Sequence, residues 1–291
     1  MEMATSKVRI TVVIVSDTGR YNYISHCLDS LLGQSSKTAF EVLLVLSGKN
    51  NIGLDNWISK GLNARLIRVG ENNYCMKRNR GAAAAIGDIV AYIDDDAKAM
   101  PGWVDSITEE FSDEWKVAGG RVEPVFEVKI PGELVGYERW IGGFNWLPLI
   151  NYSSSTIIGC NMFFDRKWLL QQGGFDVFIG EMNMTSPRLF FGGDETDIIA
   201  RLAPREIGFI SGAKVLHSIQ AVRINVESIL KRAEGIGRAR RYIDRKNGIK
   251  NLNLLNKYLF FALSLLSVKK KLIYKIKYKH SRGYLSSIQK A

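Results

Sequence analysis

The stretch of sequence that decides the fold reads IVAYIDDD and runs from Ile89 to Asp96. Five apolar or aromatic residues predict a buried strand, and the three acids that follow end it abruptly. Adjacent carboxylates repel one another, so a folded protein tolerates them best where a cation or solvent offsets the charge. Alternation along a strand turns Asp94 and Asp96 to the same face, where both can bind one divalent ion. The alternative interpretation is a solvated strand end whose acids cap the next helix.

Three further apolar runs precede this stretch, with helical patterns between them. Strands are predicted at Val8–Val15 (VRITVVIV), Phe40–Leu46, Ala64–Val69 and Ile89–Ile93, and helices at Tyr23–Leu32 and Tyr74–Ile86. Nearly continuous β-branched runs are typical of strands covered on both faces, as in a parallel sheet. The alternation therefore predicts an α/β fold class, a doubly wound, mostly parallel sheet in three layers with right-handed crossovers.

The carboxyl ends of these strands carry many of the polar candidates. In doubly wound sheets, ligands bind at this edge. We therefore expect Ser16–Arg20, Ser47–Asn50 and Asp94–Asp96 to lie along one rim.

The pattern changes after Pro101. The residues from Gly119 to Gly159 are predicted to be rich in loops, and the pattern from Ile224 onward is helical. Between them we predict a strand, two helices and two short strands, at Thr156–Phe164, Lys167–Gln172, Asp194–Leu202, Ile207–Ile210 and Ala213–Leu216. This organisation predicts two halves of one domain (residues 1–100 and 101–222) and a basic helical tail (223–291).

The net charge of +11 belongs to the tail. From Arg238 onward the sequence has fifteen Lys or Arg and one acid, whereas the preceding 237 residues carry a net charge of −3. A hydrophobic content of 46% excludes a disordered or collagen-like chain. Nucleic-acid enzymes usually spread cations over the face that follows the phosphates, so an acidic body with a basic end predicts no nucleic-acid partner. It predicts a catalytic domain with an attachment segment.

The cysteines and the apolar runs indicate a compartment. Cys27, Cys75 and Cys160 are odd in number and widely spaced, which favours buried core residues in a reducing, cytosolic setting. The longest uncharged apolar run in the tail, Tyr258–Val268, is shorter than the roughly 18 residues that cross a bilayer. We therefore expect a cytoplasmic setting and, with the basic tail as the attachment segment, a peripheral position on the cytoplasmic face of a membrane.

Four other motifs have both a chemical and a structural interpretation. The acids of Gly193-Asp194-Glu195-Thr196-Asp197 suit a helix start as well as a catalytic site, and Gly173–Asp176 suits a turn. Arg78, before the alanine-rich part of its helix, can meet an anionic ligand or solvent. His217, at a strand end, is a metal ligand or a structural histidine.

In their order and spacing, these motifs resemble the inverting, metal-dependent glycosyltransferases of family 2 with the GT-A fold, from about Val8 to His217. The family's motifs A-R-N-x-G, G-D/E-x-I-x-F-L-D-x-D, G-x-N-M-x-F-R-R, G-G-F-D, G-E-D-x-D-L-x-x-R-L and V-x-H are matched at Arg78–Gly81, Gly87–Asp96, Gly159–Arg166, Gly173–Asp176, Gly193–Leu202 and Val215–His217. The family's opening strand and turn are matched loosely by Val8–Arg20.

The resemblance implies that residues 1–100 bind the nucleotide sugar and that residues 101–222 bind the acceptor and carry catalysis. It also implies a role for each candidate residue. Asp94 and Asp96, with His217 as a third ligand, would hold Mn²⁺ or Mg²⁺, and a nucleotide-sugar donor would bind beside the ion. The implied donor-binding residues are Ser16, Asp17, Thr18, Ser47, Arg78, Asp95, Asn161 and Asp176. Inversion is a single displacement, so the acceptor hydroxyl needs a general base, which the resemblance places at Glu195 or Asp194.

Two departures from the family pattern affect these roles. The family usually has Glu then Asp at the base position, whereas this chain has Asp194 then Glu195. Its second strand often ends in aspartates that contact the nucleoside, whereas this strand ends in Leu46 and Ser47. Asp17 is a candidate replacement, and a standard uridine pocket is not assumed.

The composition of the C-terminal tail indicates which kind of molecule accepts the sugar. Apolar residues between Leu252 and Leu266 are flanked by lysines, which suits an anionic membrane surface. Packing on the catalytic domain or in a homo-oligomer is the alternative. A membrane tail predicts a lipid-linked glycan or polysaccharide acceptor. The competing functions are sugar transfer to polyprenyl phosphate, which needs no base, and a non-catalytic nucleotide-binding protein.

Overall fold

A computed structural model of the chain describes residues 8–48, 52–142, 157–185, 193–248 and 271–285. They divide into two compact units. The first unit takes its described residues from Met1–Val125, Phe144–Val177 and Ile198–Ser218, and the second from Phe126–Gly143, Phe178–Asp197 and Ile219–Ala291. The division predicted at residues 100 and 222 stays a prediction.

The first unit begins with parallel strands that alternate with helices. Their bounds are β1 Ile10–Asp17, α1 Tyr21–Leu32, β2 Phe40–Ser47, α2 Asp55–Ile58, β3 Ala64–Val69, α3 Tyr74–Ala84 and β4 Ile89–Asp94. β1 pairs in parallel with both β2 and β4, and β2 pairs in parallel with β3. The apolar residues of β1, β2 and β4 are nearly all buried, because both faces of the sheet are covered there, whereas Leu66, Ile67 and Val69 of β3 are half-buried.

The remaining elements extend the sheet with antiparallel pairs. They are β5 Ala97–Ala99, α4 Trp103–Glu110, β6 Val117–Phe126, α5 Glu138–Gly142, β7 Asn161–Asp165, α6 Arg166–Gln171, α7 Val177–Thr185, α8 Asp194–Ile199, β8 Ile207–Ile219, α9 Val226–Lys246 and α10 Lys271–Leu285. In the described residues the sheet has eight strands in the order β3-β2-β1-β4-β7-β6-β8-β5. β4 with β7, β6 with β7, and β5 with β8 are antiparallel. The predicted fold class is confirmed.

Two predictions for the second half were wrong in detail. The stretch predicted as loop contains β6, whose glycines are needed for packing: a Cβ at Gly120 would collide with the Asn161 side chain and the carbonyl of Ala213. The two short strands predicted near the C-terminal end of the fold are one strand, β8. The sequence prediction left Ser211 and Gly212 between the two strands. In the structure β8 continues through Ser211 and Gly212 and lies between β6 and β5 in the sheet.

The second unit contains a close pair of helices, α9 and α10. A Cβ on Gly237 of α9 would collide with the carbonyl of His280, and one on Gly283 of α10 would collide with the carbonyl of Glu234. The two glycines thus allow backbone-to-backbone approach. Glu234 is 5% exposed and forms ion pairs with the three cations Arg238, Lys279 and Arg282.

The predicted helical pattern after Ile224 is confirmed for α9 and α10. The apolar segment from Leu252 to Leu266 lies outside the described residues. Within the part of the chain that the structure describes, no helix has the length and apolar character needed to span a bilayer.

Candidate active site

The carboxyl ends of β1, β2 and β4 meet at one edge of the first unit. Asp17 is the register partner of Ser47, and Asp94 is the partner of Val15. The amide of Thr18 donates a hydrogen bond to the carbonyl of Ser47 over 3.1 Å. The structure therefore brings the predicted rim residues of these three strands together.

Asp94, Asp96 and His217 come together at this edge. His217 is paired with Ala97 across β5 and β8, and its Nε2 lies 3.1 Å from Oδ1 of Asp96. The potential ligand atoms of Asp94, His217 and Cys160 all lie within 4.8 Å of one another. His217 therefore joins the two carboxylates into one group.

Strand alternation was expected to bring Asp94 and Asp96 to the same face, but the structure brings them together in another way. β4 ends at Asp94, and Asp95 and Asp96 lie in a turn, so strand alternation does not orient Asp96. The pairing of β5 with β8 instead places His217 against it. Burial raises the pKa of Asp94, with Arg78 opposing the shift and the like charge of Asp96 adding to it.

Asp95 faces a different set of partners. It accepts hydrogen bonds from the hydroxyl of Ser16 and from the guanidinium of Arg20, over 2.6 Å from Nε and 2.8 Å from Nη2. Arg20 also donates to Oδ2 of Asp96 over 2.8 Å. Burial nevertheless raises the pKa of Asp95. Arg20 thus bridges Asp95 to Asp96, a role that the sequence did not assign.

Arg78 is a buried cation beside Asp94. Its side chain is 6% exposed, and Nη2 lies 3.5 Å from Oδ1 of Asp94 and 3.3 Å from the carbonyl of Gly159. The guanidinium also lies over three aromatic rings, those of Tyr74, Tyr92 and Phe175. Aromatic contact and an adjacent carboxylate stabilise the charge away from water.

A buried lysine lies beneath the ends of β1 and β2. Lys77 is 4% exposed, and its Nζ donates to the carbonyl of Ser16 (2.8 Å), to Oγ of Ser47 (3.2 Å) and to Oδ1 of Asn72 (2.8 Å). Oγ of Ser47 donates to the same Asn72 oxygen over 3.0 Å. Because an ammonium only donates, this arrangement fixes the Asn72 oxygen inward and turns its amino group away. Burial lowers the pKa of Lys77 to about 8.

Sequence analysis missed Lys77, although a signal was present. Lys77 stands where the family motif A-R-N-x-G has alanine, next to the strand end where the family's nucleoside-binding acids are missing. Asp17, the suggested replacement acid, accepts a hydrogen bond from the amide of Gly19 over 2.8 Å.

Asn161 has a structural role in the described contacts. It is fully buried, its Nδ2 donates to the carbonyls of Arg121 and Ala213, and its Oδ1 accepts from Nε1 of Trp103 over 2.9 Å. Its amide groups are thus used within the protein, which does not favour the predicted contact with the sugar.

Asp176 is half-buried at the end of a turn held against α3. Asn79 accepts from the amide of Phe175 over 2.7 Å and donates to its carbonyl over 2.8 Å. The role of Asp176 stays a prediction.

The candidate base residues belong to the second unit, at the start of α8. Asp194 is 3% exposed and Glu195 is half-buried. Asp197 is buried and lies 2.9 Å from Nζ of Lys246, which fixes α8 to α9. Burial lowers the pKa of Arg232 to about 9, and nearby Arg223 adds to the shift while Glu195 opposes it. Arg232 is a neighbour of Glu195 that sequence analysis missed.

The cysteines are buried, as predicted. Cys27, Cys75 and Cys160 lie buried in the described core and form no disulfide there, and burial raises the pKa of Cys160 well above its ordinary value. Its proximity to Asp94 and His217 was not expected, because a single cysteine in an apolar stretch predicts only packing.

The eight-stranded mixed α/β sheet of the described residues, with its acidic edge, matches the GT-A class of fold. The chain belongs to glycosyl transferase family 2, whose model matches residues 11–172, more than half of the sequence. The predicted family is confirmed.

Individual relatives support the assignment. The chain is 24% identical over 179 residues to the glucosyl-dolichyl phosphate glucuronosyltransferase of Haloferax volcanii, covering 59% of this chain and 57% of that protein. The match thus spans less than two thirds of the relative's length.

Two solved structures share the fold. The mannosyltransferase PcManGT from Pyrobaculum calidifontis, in complex with GDP-Man and Mn²⁺, has a TM-score of 0.57 at 14% identity, covering 96% of this chain and 88% of that one. S. aureus TarS 1–349 in complex with UDP has a TM-score of 0.52 at 15% identity, covering 95% and 89%.

Proposed function

We propose that the protein is a metal-dependent inverting glycosyltransferase that moves a sugar from a nucleotide-sugar donor to a membrane-borne, lipid-linked glycan. The observation that carries the proposal is the convergence of Asp94 and Asp96 on His217 at the carboxyl edge of a family 2 domain. The complexes of PcManGT with GDP-Man and TarS with UDP support a nucleotide-activated donor.

The residues at this edge fit a divalent cation. Two carboxylates and an imidazole supply the oxygen and nitrogen donors that Mn²⁺ accepts. Nε2 of His217 lies 3.1 Å from Oδ1 of Asp96, so the imidazole and this carboxylate can face one ion. Asp94, Asp96 and His217 would hold Mn²⁺ or Mg²⁺, which neutralises charge on the departing diphosphate when bound.

The chain's own side chains would hold the donor. Arg78 is proposed to face the diphosphate, because its charge lies beside Asp94 and is shielded from water. Asp95 is proposed to shape the donor pocket by holding Ser16 and Arg20 in place. Asp17, Thr18 and Ser47 line the same edge and are proposed to face the nucleoside.

The proton acceptor is proposed to be Glu195 or Asp194. An inverting transfer requires a base for the acceptor hydroxyl, and both acids lie in the first turn of α8. Near-normal turnover in both Glu195→Gln and Asp194→Asn would contradict this role and favour a phosphate acceptor, which needs no base. We propose Asp197 as the residue that orients α8 through Lys246.

The lipid-linked acceptor is supported by charge and by the archaeal relative. α9 and α10 contain twelve Lys or Arg and three acids, and the relative is named for a glucosyl-dolichyl phosphate. We propose a peripheral position on the cytoplasmic face of an anionic membrane.

Replacing the exposed Arg245 and Lys275 with Gln should weaken binding to phosphatidylserine vesicles about fivefold each, since each cation near the surface contributes about 1 kcal/mol. Unchanged vesicle binding would contradict the membrane surface.

A nucleotide screen tests the donor site directly. Thermal unfolding is measured with UDP, GDP, CDP and ADP, each with and without Mn²⁺, since a ligand that binds the folded state raises Tm. We expect one diphosphate to stabilise the protein in a Mn²⁺-dependent way, and Asp96→Asn to abolish this effect. Asp113→Asn, at an exposed acid beyond α4, is the matched control. Stabilisation by every nucleotide without metal would contradict the proposed site.

A further inference from the structure

A thiol lies within the metal-binding edge. Cys160 directly precedes β7 and is 1% exposed. Its Sγ, a carboxylate oxygen of Asp94 and a ring nitrogen of His217 all lie within 4.8 Å of one another. One sulfur, one nitrogen and one oxygen are therefore close enough together to bind one ion.

This donor set differs chemically from the set proposed for Mn²⁺ or Mg²⁺. Manganese and magnesium prefer oxygen ligands, with nitrogen accepted by Mn²⁺, whereas thiolate and imidazole together favour Zn²⁺ and Co²⁺. Zinc sites with three protein ligands keep a fourth position for water or substrate. Sulfur, nitrogen and carboxylate oxygen are all among the ordinary ligands of zinc.

We propose that Asp94, Cys160 and His217 form a second, thiophilic metal site that binds Zn²⁺ or Co²⁺. It shares Asp94 and His217 with the proposed catalytic site, so the two ions exclude each other. Asp96 lies against Nε2 of His217 and remains outside the thiophilic ligand set. Binding replaces the thiol proton with the metal ion, and the proton passes to solvent. Zinc is therefore an inhibitor that competes with the catalytic ion, a consequence that rests on the proposed function.

Cobalt spectroscopy tests the site without donor, acceptor or turnover. The full-length protein is titrated with CoCl₂ under anaerobic conditions, and absorption is recorded in the near ultraviolet and the visible. A thiolate-to-cobalt charge-transfer band with intense tetrahedral d–d bands is expected at one equivalent. Cys160→Ser should remove the charge-transfer band, whereas Cys27→Ser and Cys75→Ser, at the other two buried cysteines, should keep it.

Metal affinity provides the second measurement. Cys160→Ser should weaken Zn²⁺ binding by at least about tenfold, because it removes the soft ligand, and should change Mn²⁺ binding much less. Cobalt binding with no charge-transfer band, or a band that persists in Cys160→Ser, would overturn the proposal. Far-ultraviolet circular dichroism of each variant checks that the fold is retained.

The outcome can be separated from that of the proposed function. A cobalt–thiolate band in a protein that binds no nucleotide diphosphate would support this site and refute the transferase. Mn²⁺-dependent nucleotide binding, with no cobalt–thiolate band in the wild type or in any cysteine variant, would refute this site and support the transferase. If both are present, Zn²⁺ should displace Mn²⁺ from the wild type and do so much less effectively in Cys160→Ser.

Discussion

Replacing Lys77 with Met should change how stability depends on pH. Burial lowers the pKa of Lys77 from 10.5 to about 8, so the unfolded chain holds this proton more tightly than the folded protein does. Between pH 8 and 10.5 the unfolded state therefore binds more protons, and stability rises with pH in that window. A shift of this size corresponds to about 3 kcal/mol of folding free energy. Burying the charged ammonium costs this amount below pH 8, and the cost is relieved by pH 10.5, where the folded protein has lost the proton.

The measurement is urea unfolding of the wild type and Lys77→Met from pH 7 to 10.5. The difference in unfolding free energy, wild type minus variant, should rise by about 3 kcal/mol across this range, because only the wild type loses the cost of burying the charge. The loss of three hydrogen bonds in the variant shifts the whole difference curve and does not change its slope. Lys60→Met, at an exposed lysine, is the matched control.

A flat difference curve for Lys77→Met would refute the buried-charge argument. A rise of equal size in Lys60→Met would show that the effect is not specific to the buried site.

Three other changes test separate parts of the molecule. Asp96→Asn should abolish sugar transfer, measured by release of nucleoside diphosphate in the presence of Mn²⁺, and activity equal to that of Asp113→Asn would contradict the metal role. Lys246→Met removes an ion pair with the buried carboxylate of Asp197 and should lower stability by about 3 kcal/mol in urea unfolding, whereas Lys246→Arg should retain most of that stability. Gly237→Ala forces a Cβ against a backbone carbonyl and should destabilise the protein by about 1–3 kcal/mol, while Gly132→Ala, with open space around it, should have little effect in the same assay.

The parallel half of the fold was predictable because its strands are nearly continuous apolar runs. The predicted bounds of β1 to β4 differ from the observed ones by at most two residues. β5, by contrast, has three residues, too few for any periodicity, yet its pairing with β8 positions His217. β6 was missed because its glycines are typical of loops, whereas Gly120 is required by close packing against Asn161.

The candidate site was predictable at positions where the residue type is uncommon unless it has a chemical role, such as three adjacent acids at the end of a buried strand. Three acids at a strand end indicated the edge where Asp94, Asp96 and His217 meet, and His217 was found through its place in a motif. Cys160 and Lys77 were missed because their own sequence patterns predict a core residue and a surface lysine. Only the tertiary contacts place a thiol beside Asp94 and an ammonium beneath Ser47.

The approach of α9 and α10 at Gly237 and Gly283 has a consequence for sequence divergence. Each glycine faces a backbone carbonyl of the opposite helix, at His280 and at Glu234. A larger residue at either position should loosen both contacts, because the two contacts lie within one turn of each other on both helices. In homologues that retain this helix pair, the two positions should therefore stay glycine together or change together.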